Sequence, residues 1–548
     1  MSSKVLSTAD PNRAGVLHSQ ITFIWARLTW MMTQEAFQLI QALIEHESLD
    51  TTGVQCLKQR TAWILQATND QINQFLESLC EIDLQSSTPV ESLLITIFSM
   101  IEQRERSRDR ESQDSPTADL SIQAIASLYV RRPVNSVTRT HLLQILAQMA
   151  TPDALTAFAD LLLAEPPQTE ALPARAFSPL FQIRDERILE LFPKIIDGIE
   201  HVSVAAAILD LGNFVVREGI LSEHPACDRS TELIFLLGQM TQRLGYLESH
   251  PEQQSTSEEL STVVSESVSL VVSLCDALAL IGDREAIGKL NQTLELAHRR
   301  IRAEAAAALA RFGEDHGTKL LLELASEPVA RLRVLAYADE LDIADQIADE
   351  FTSSVAIAQS EIVLWLADLM QFGVPPIECE LYQHETMHWP GYEEPRECFL
   401  FRFSYQLSDR EYGNIGIAGP LTHATTADLL DLSSEDIFAL FAGWDAEHED
   451  IYELNPTELN ATQSVEIQRL IERARDADYE SIQPLALGVF FGDAILVASA
   501  QQANSAGVII VDEHDVIWRP TALGDRPLGP EEVYNIYKGR KLLKAFNG

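Results

Sequence analysis

The sequence is poor in basic residues. It contains 40 lysines and arginines against 82 aspartates and glutamates, so its formal net charge at pH 7 is −42. A field of that sign repels phosphate backbones and anionic lipid, whereas it favours solubility and basic partners. We therefore expect neither nucleic acid nor membrane among its partners. A solvated acidic surface gives the same composition, so charge alone does not identify a ligand.

Cysteines are also few. The six cysteines are Cys56, Cys80, Cys227, Cys275, Cys379 and Cys398, and they form no C-x-x-C pair, the spacing typical of zinc and redox sites. Cys275 lies among apolar residues of a helical pattern, where a thiol behaves as a small apolar side chain. These features favour a reducing compartment.

Long apolar segments are missing near the N-terminus. The first ten residues are polar, and the apolar residues 21–32 are too few to cross a bilayer and include Arg27. Hydrophobic residues make up 46% of the 548 residues, which is ample for folded cores. We expect a soluble, cytoplasmic protein.

What the sequence does contain is a recurring apolar spacing. Three stripes place apolar residues at offsets 0, 4, 7, 8 and 11, and the second begins 31 residues after the first. The stripes are Leu270, Leu274, Ala277, Leu278 and Ile281; Ile301, Ala305, Ala308, Leu309 and Phe312; and Ala330, Val334, Tyr337, Ala338 and Leu341. Each stripe marks one face of a helix, and each following turn leads into a second helix. Such a period is typical of a stacked α-solenoid.

Weaker copies flank these three. Residues 139–150 match with Arg139 in the first position, and Leu172, Ala176, Pro179, Leu180 and Ile183 match at every offset. Ile362, Leu366, Leu369 and Met370 close the series before Pro375 and Pro376 stop any helix. The polar residues 250–262 are expected to form a loop inserted between repeats.

Residues 301–313 and the segment that ends at Asp283, with their shared period, resemble the HEAT-repeat family, particularly the short HEAT-like repeats of the phycobilisome bilin lyases. The resemblance covers about residues 139–370. It implies a HEAT-like α-solenoid and is weak for function. The third stripe departs from the family pattern because Asp342 replaces the glycine that ends the first two.

Four regions follow from these patterns. We expect a helical region at 1–105, a flexible linker or loop at 106–120, HEAT-like repeats at 121–375 and an α+β domain at 376–548. The fold class is therefore mainly α, with a smaller α+β C-terminal domain of no family that we recognise.

The C-terminal domain shows alternation typical of strands. Phe399, Phe401, Phe403 and Tyr405 alternate with more polar residues, and residues 412–418 follow as a partner strand. Further strands are expected at 485–491, 494–500 and 508–511, with a hairpin turn at 512–515. Capped helices are expected after Thr425 and Ser433, and a last helix begins at Pro530.

One motif matches H-E-x-x-H, at His384-Glu385-Thr386-Met387-His388. On a helix this spacing places two imidazoles on one face for zinc, with the glutamate as base. Trp389-Pro390-Gly391 ends any helix at that point, and no helix with a third ligand follows. We therefore favour a chance match in a loop or at a strand edge, and keep His384, Glu385 and His388 as metal-site candidates.

Other constellations are weaker. Deoxyhypusine hydroxylase, a HEAT-repeat enzyme, binds two irons through His-Glu pairs, but the pairs here, at residues 46–47, 384–385 and 448–449, lie outside the clear repeats. The acidic residues 445–450 lack EF-hand spacing. Gly413, Gly416 and Gly419 match no phosphate-binding motif, so a bulge and a turn explain them better.

A local basic cluster stands out in the acidic chain: Arg299, Arg300, Arg302, Arg311, Arg331 and Arg333. Either these arginines pair with neighbouring acids, or they line one solenoid face and hold an anionic partner, with Arg299 and Arg302 as the candidate binding residues. The bilin-lyase resemblance implies a tetrapyrrole propionate as one such ligand.

Solenoid surfaces mostly bind proteins or peptides. We therefore expect a non-catalytic interaction scaffold that presents a curved helical-repeat surface to a protein or peptide partner, without catalytic residues or a cofactor. The alternative is an enzyme, either bilin-lyase-like or metal-dependent at His384.

Overall fold

A computed structural model describes residues 34–44, 57–58, 60–82, 84, 87–108, 120–166, 173–250, 258–368, 371–407, 410–446, 451–453, 461–490, 493–503, 505–520 and 526–547. The chain divides into two compact units, residues 1–318 and 319–548. As expected, the protein is mainly α, and strands occur in the C-terminal part.

The first unit consists of helices. They are α1 (Gln34–Ile44), α2 (Asn69–Glu81), α3 (Thr88–Arg108), α4 (Ile122–Arg131), α5 (Val137–Met149), α6 (Pro152–Ala164), α7 (Pro173–Phe177), α8 (Val202–Arg217), α9 (Ser230–Ser249), α10 (Glu258–Ile281), α11 (Ile287–Thr293) and α12 (Arg299–Arg311). Short 3-10 helices lie between several of them, for example at Glu186–Leu191 and Lys194–Glu200. Helix α13 (Asp315–Glu323) contains the division between the units.

The helices of the first unit pack in two rows. In one row α3 contacts α5, α5 contacts α7, α7 contacts α8, α8 contacts α10 and α10 contacts α12. A second row contains the contacts of α2 with α4, α4 with α6 and α9 with α11. One continuous apolar core runs from Ala36 to Phe312, so each helix shares its buried face with the next along the row.

The three clear stripes are buried as their spacing predicts. Ile301, Ala305, Ala308, Leu309 and Phe312 are all buried, and in the other two stripes only Ile281 and Leu341 are partly accessible. Each helix ends in a left-handed residue, at Gly282 (φ 80°), Gly313 (φ 79°) and Asp342 (φ 56°). Asp342 therefore adopts the same turn conformation as the two glycines, although that conformation is strained for a residue with a Cβ.

The copy at residues 172–183 does not form the predicted helix. Helix α7 ends at Phe177, and a 3-10 turn at Leu180–Gln182 follows. The cause is Pro179, which lacks the N–H for an internal helical hydrogen bond and clashes with the preceding turn. Ala176, Leu180 and Ile183 are nevertheless buried. Residues 109–119 of the expected linker and 251–257 of the expected loop lie outside the described residues, and α10 begins at Glu258, inside the expected loop.

Within the described part of the chain, one helix is long and apolar enough to cross a membrane, at Val264–Ile281 of α10. Of this stretch, 61% is buried inside the protein, and α8, α9 and α12 pack against the helix. Its apolar composition is therefore that of a core helix.

The second unit begins with the helices α14 (Pro328–Glu340), α15 (Asp349–Thr352) and α16 (Ser354–Ala367). Sheet A follows, with strands β1 (Glu378–Met387), β2 (Arg396–Leu407), β3 (Arg410–Ala418) and β4 (His423–Ala424), and then α17 (Ser434–Asp445). Sheet B contains β5 (Ile451–Glu453), β6 (Glu480–Phe490), β7 (Asp493–Gln502), β8 (Ser505–Val511) and β9 (Val516–Pro520). Helix α18 (Ala461–Asp476) lies between β5 and β6 in sequence, and α19 (Pro530–Asn547) ends the chain.

Both sheets are antiparallel meanders with strand order equal to chain order. Helix α16 packs on the face of sheet A that carries Phe399, Phe401, Phe403 and Tyr405. Helix α17 covers the opposite face of that sheet, while α18 and α19 cover the two faces of sheet B. Since α17 packs on α19, this unit is a stack of helix, sheet, helices, sheet and helix.

The two halves of this stack repeat each other. Each consists of a covering helix, four antiparallel strands and a central helix, namely α16, β1–β4 and α17, and then α18, β6–β9 and α19. Glycine occupies the tenth position of both central helices. A Cβ on Gly443 would lie 2.0 Å from the Asn535 carbonyl oxygen, and one on Gly539 would lie 1.7 Å from the Ala439 oxygen. Both oxygens belong to the sixth residue of the partner helix, so the central helices cross through equivalent contacts.

The predicted elements of this unit are found with three differences. No helix forms after Thr425, because the buried Asn414 amide donates to the carbonyls of Thr425 and Ala427 and accepts from Leu429 N–H. Strand β2 is buried on both faces at its start, where Cys398 and Leu400 are inaccessible. Strands β2 and β3 pair without a register shift, so Gly413 and Gly416 form no bulge. Gly416 lies beneath Ile362 of α16 instead.

Helices α14 and α16 group with the two sheets, and the division of the chain lies between Thr318 and Lys319. The reason is the contact of Ile362 and Leu366 with the Phe399–Tyr405 face of sheet A. The four regions proposed from the sequence stay predictions.

Candidate functional site

The H-E-x-x-H residues lie on a strand instead of a helix. His384 and Glu385 belong to β1, and His388 follows its last residue. Four residues of extended chain span about 13 Å, whereas four residues of a helix bring side chains together on one face. The spacing that suggests a zinc site in a helix therefore separates the two imidazoles here.

The three candidate ligands also have different surroundings. The His384 ring stacks on Phe399 with centroids 4.5 Å apart, and its Nε2 lies 3.3 Å from Glu397 Oε1. The Glu385 carboxylate accepts from the Gln383 amide at 3.1 Å. At His388 the backbone N–H donates to Asn547 Oδ1 at 2.7 Å. The sequence motif thus selects residues on or next to one strand, but in the structure the side chains of His384, Glu385 and His388 do not point to a common site.

Strand β1 is the first strand of sheet A and pairs only with β2 among the described residues. Its other edge therefore carries backbone N–H and C=O groups that no described strand covers. Proteins commonly protect such edges with lysine, proline or very short strands. Over its ten residues β1 contains neither lysine nor proline, and its protection against pairing consists of three glutamates and a register shift between Leu381 and Gln383.

The chain around β1 exposes apolar side chains. Five of the 17 exposed large apolar side chains in the described part of the protein fall within residues 372–382; they are Phe372, Val374, Ile377, Leu381 and Tyr382. Ile377 is 68% exposed, and Leu381 and Tyr382 are each 44% exposed. Single exposed apolar residues are ordinary, but several within a short segment, beside a strand edge that no described strand covers, favour a binding surface.

The two faces of β1 differ in charge. The register with β2 places Glu378, Glu380 and Glu385 opposite Ser404, Arg402 and Cys398, all on one face of sheet A. Leu381 and His384 lie opposite Phe401 and Phe399, on the other face. The edge therefore combines an acidic face with an apolar one.

A cleft of about 640 Å³ lies at the C-terminal end of β1. Its walls come from β1, α17 and α19, and the polar residues that line it are Glu385, Thr386, Glu435, Arg540, Lys544 and Asn547. Asn547 joins two walls, since its side chain both accepts from His388 N–H and donates to the His388 carbonyl at 3.0 Å.

A buried ion pair holds the walls of the cleft together. The Asp436 carboxylate of α17 accepts two hydrogen bonds from Arg519 of β9, each at 2.9 Å. Arg540 of α19 reaches the same carboxylate at 2.5 Å. Because three elements meet at one buried carboxylate, the position of Arg540 at the cleft is fixed.

The two cysteines in this sheet are not nucleophiles. Burial raises the pKa of Cys379 to about 12, and Glu380 adds to this effect. Burial likewise raises the pKa of Cys398 to about 12, with a contribution from Glu385. Since the thiolate is the reactive form, both side chains stay as inert thiols at neutral pH.

The arginine cluster does not form one open face. Arg331 is only 3% exposed, and its guanidinium donates to the carbonyls of Ala325 and Ala356 at 2.8 and 2.7 Å. It therefore joins the 3-10 turn at Leu324–Ser326 to the start of α16 within the second unit. Arg299 is exposed and Arg302 is half-buried at the start of α12 in the first unit, so these two candidates keep access to solvent.

Other sequence candidates give no site. The pairs His46-Glu47 and His448-Glu449 lie outside the described residues. Asp445 is the described member of the acidic group 445–450, and it accepts the Trp389 indole N–H at 2.8 Å. Within the described ranges, no three His, Cys, Asp or Glu side chains are grouped to hold a metal ion.

Sequence reasoning missed the open edge of β1. Most β1 side chains are exposed on both faces, so the strand has no alternating pattern to reveal it. The sequence shows there only that Ile377, Leu381 and Tyr382 stand among polar residues after Pro376. Comparison with known proteins gives no match, neither to a protein-family model nor to a curated protein.

Proposed function

We propose that this chain is a non-catalytic protein-interaction scaffold that acts in the cytoplasm. Its HEAT-like helical repeats provide one binding surface, and the open edge of sheet A provides a second. The observation that carries the proposal is the group of exposed apolar residues beside the edge of β1 that no described strand covers.

Two further features support a scaffold. The row-by-row helix contacts and the continuous core of the first unit are those expected of an α-solenoid. Arg299 is exposed and Arg302 is half-buried at the start of α12, so both reach the surface of the helical repeats. By contrast, the extended geometry of His384 and His388 and the inert thiols of Cys379 and Cys398 give no support to a catalytic reading.

The test is affinity purification of the full chain from its native cell, with bound proteins and small molecules identified together. Three variants are compared with the wild type: Leu381→Lys/Tyr382→Lys at the edge, Arg299→Glu/Arg302→Glu on α12, and the control Phe235→Lys on α9. Phe235 is 66% exposed, so its replacement changes an apolar surface residue elsewhere without disturbing a core.

We expect one defined set of proteins that the control retains and that at least one of the two double variants loses. A set that both double variants retain would contradict the proposed surfaces. A stoichiometric metal or tetrapyrrole in the wild type would favour an enzyme instead, and loss of the metal in His384→Ala would assign it to the H-E-x-x-H residues.

A further inference from the structure

The structure contains its own example of a strand added to the edge that β1 leaves open. In sheet B the counterpart of β1 is β6, because each is the first strand of its four-stranded repeat. The outer edge of β6 is covered by β5, whose residues Ile451, Tyr452 and Glu453 pair antiparallel with Gly488, Leu487 and Ala486. In sheet A no described strand takes that place.

Equivalent positions in the two sheets follow from their hairpins. The pair Leu407 and Arg410 ends the hairpin of β2 and β3, as Gln502 and Ser505 end that of β7 and β8. Six residues before these ends, Phe401 pairs with Leu381 of β1, and Leu496 pairs with Leu487 of β6. Leu381 is therefore the counterpart of Leu487, whose backbone pairs with Tyr452 of β5.

The exposures of the two counterparts differ, and the packing of α18 on Leu487 contributes to the difference. Leu487 is buried, at 5% exposure, whereas Leu381 and its neighbour Tyr382 are each 44% exposed. The apolar group on β1 thus lies at the position where the second half of the same unit receives an extended segment.

We infer that β1 is a docking strand, to which an extended segment of another protein adds antiparallel as a fifth strand of sheet A. Main-chain hydrogen bonds along the edge give the affinity, and alternate side chains give the selectivity. This inference rests on the proposed interaction function and specifies the partner of its second surface.

The charge of the edge defines the occupant. Glu378, Glu380 and Glu385 share one face of β1, so the added strand best carries lysine or arginine on that face and apolar residues on the face of Leu381. A second copy of this chain is a poor occupant, because pairing two β1 strands would bring the glutamates of both copies close together.

The experiment titrates the full chain with fluorescein-labelled ten-residue peptides. The probe alternates lysine and valine, one comparison peptide alternates glutamate and valine, and another has the lysine–valine composition with prolines at two central positions. Hydrogen exchange of the chain, with and without probe, locates the binding. Leu381→Lys/Tyr382→Lys is the edge variant, and Phe235→Lys is its control.

We expect the lysine–valine peptide to bind the wild type and the control alike, and to protect the amides of residues 378–387. Binding should be at least about tenfold weaker for both comparison peptides and for the edge variant, since main-chain pairing and several surface charges each contribute modestly. Added salt should weaken it further.

Protection located away from β1, or equal binding of all three peptides, would overturn the inference. A wild-type dimer that sediments as such and that the edge variant abolishes would overturn the choice of occupant. If the lysine–valine peptide does not bind while the edge variant still loses its cellular partners, the inference of strand addition is wrong and the proposed scaffold function is retained. If the edge variant keeps every cellular partner, the edge of sheet A is not a binding surface.

Discussion

Single residues in this protein take conformations and charges that the surrounding fold dictates. Asp342 illustrates the first case, because it follows α14 in the left-handed conformation that glycine adopts at Gly282 and Gly313. Its side chain is exposed, so the aspartate brings a backbone penalty to a position where glycine has none.

We expect Asp342→Gly to raise the free energy of unfolding of the second unit by about 0.5–1 kcal/mol. Glycine removes the strain of the left-handed conformation, but part of this gain is lost because glycine has more conformational freedom in the unfolded chain. Urea unfolding of the full chain measures the change. Gly282→Ala is the converse control, since a Cβ there meets no atom within 4 Å, and it should lower stability through backbone strain alone. A destabilised Asp342→Gly variant would show that the aspartate side chain contributes more than its strain costs.

His224 illustrates the second case. It is buried between α8 and the start of α9, and the Ala226 N–H donates to its Nδ1 at 3.1 Å. The ring proton therefore resides on Nε2, which lies 3.1 Å from Asn213 Oδ1. Burial lowers the pKa of His224 from 6.5 to about 4, with Arg217 also lowering it and Asp276 opposing.

Because the unfolded chain binds this proton more readily than the folded one, stability conferred by neutral His224 is complete above about pH 6.5 and declines as the pH falls towards 4. We expect a loss of up to about 3 kcal/mol across that interval. The measurement is urea unfolding at several pH values for wild type and His224→Gln. The difference in stability between the two should shrink on acidification, and a constant difference would contradict the assignment.

At the scale of elements, the second unit depends on the crossing of α17 and α19. Gly443 and Gly539 bring the two backbones into direct contact, and the central helices thereby position Arg540 and Asn547 at the cleft. Closely packed backbones cannot yield to an added methyl group as a flexible side chain can.

Gly539→Ala should therefore destabilise the second unit by about 3 kcal/mol, because the new Cβ meets a backbone oxygen and forces the helices apart. Gly288→Ala in α11 is the matched control: the added Cβ there meets no atom within 4 Å, and alanine favours the helix by up to about 1 kcal/mol. The measurement is thermal unfolding of both variants. Equal melting temperatures of Gly539→Ala and wild type would contradict the close contact of α17 and α19.

The elements that could be predicted are those whose pattern has a single physical cause. The stripe from Ile301 to Phe312 gives a helix because its spacing matches the helical period. Residues 172–183 satisfy the same spacing but contain Pro179, and the proline prevails over the pattern. The spacing of apolar residues therefore predicts which side chains are buried. Whether those residues form one continuous helix depends on the backbone, and a proline interrupts it.

The open edge could not be predicted because it depends on which strands meet. Nothing in residues 378–387 states that β1 is the first strand of its sheet. The similarity of the two halves also appears in the sequence, since residues 434–443 and 530–539 read S-E-D-I-F-A-L-F-A-G and P-E-E-V-Y-N-I-Y-K-G. The two segments lie 96 residues apart, a distance that differs from the spacing of the helical stripes. Only the folded structure shows that β1 and β6 hold equivalent places in their sheets.

For the whole molecule, a net charge of −42 means that copies repel each other at a distance, while at contact β1 offers a strand edge that no described strand covers. The local balance is decided by Glu378, Glu380 and Glu385, since like charges opposed across paired strands are destabilising. Removing those charges leaves an apolar edge of the kind that pairs between copies.

The full chain with Glu378→Gln, Glu380→Gln and Glu385→Gln should therefore associate through sheet A, whereas the wild type should not do so through this edge. Sedimentation velocity at several concentrations measures the association, and a larger particle at high concentration is the expected result. Adding Leu381→Lys and Tyr382→Lys to the same chain should restore wild-type behaviour, because two lysines per copy again oppose each other at the edge. If the glutamine variant and the wild type sediment alike at every concentration, the glutamates do not prevent β1 strands of two copies from pairing, and their charge does not select a basic occupant.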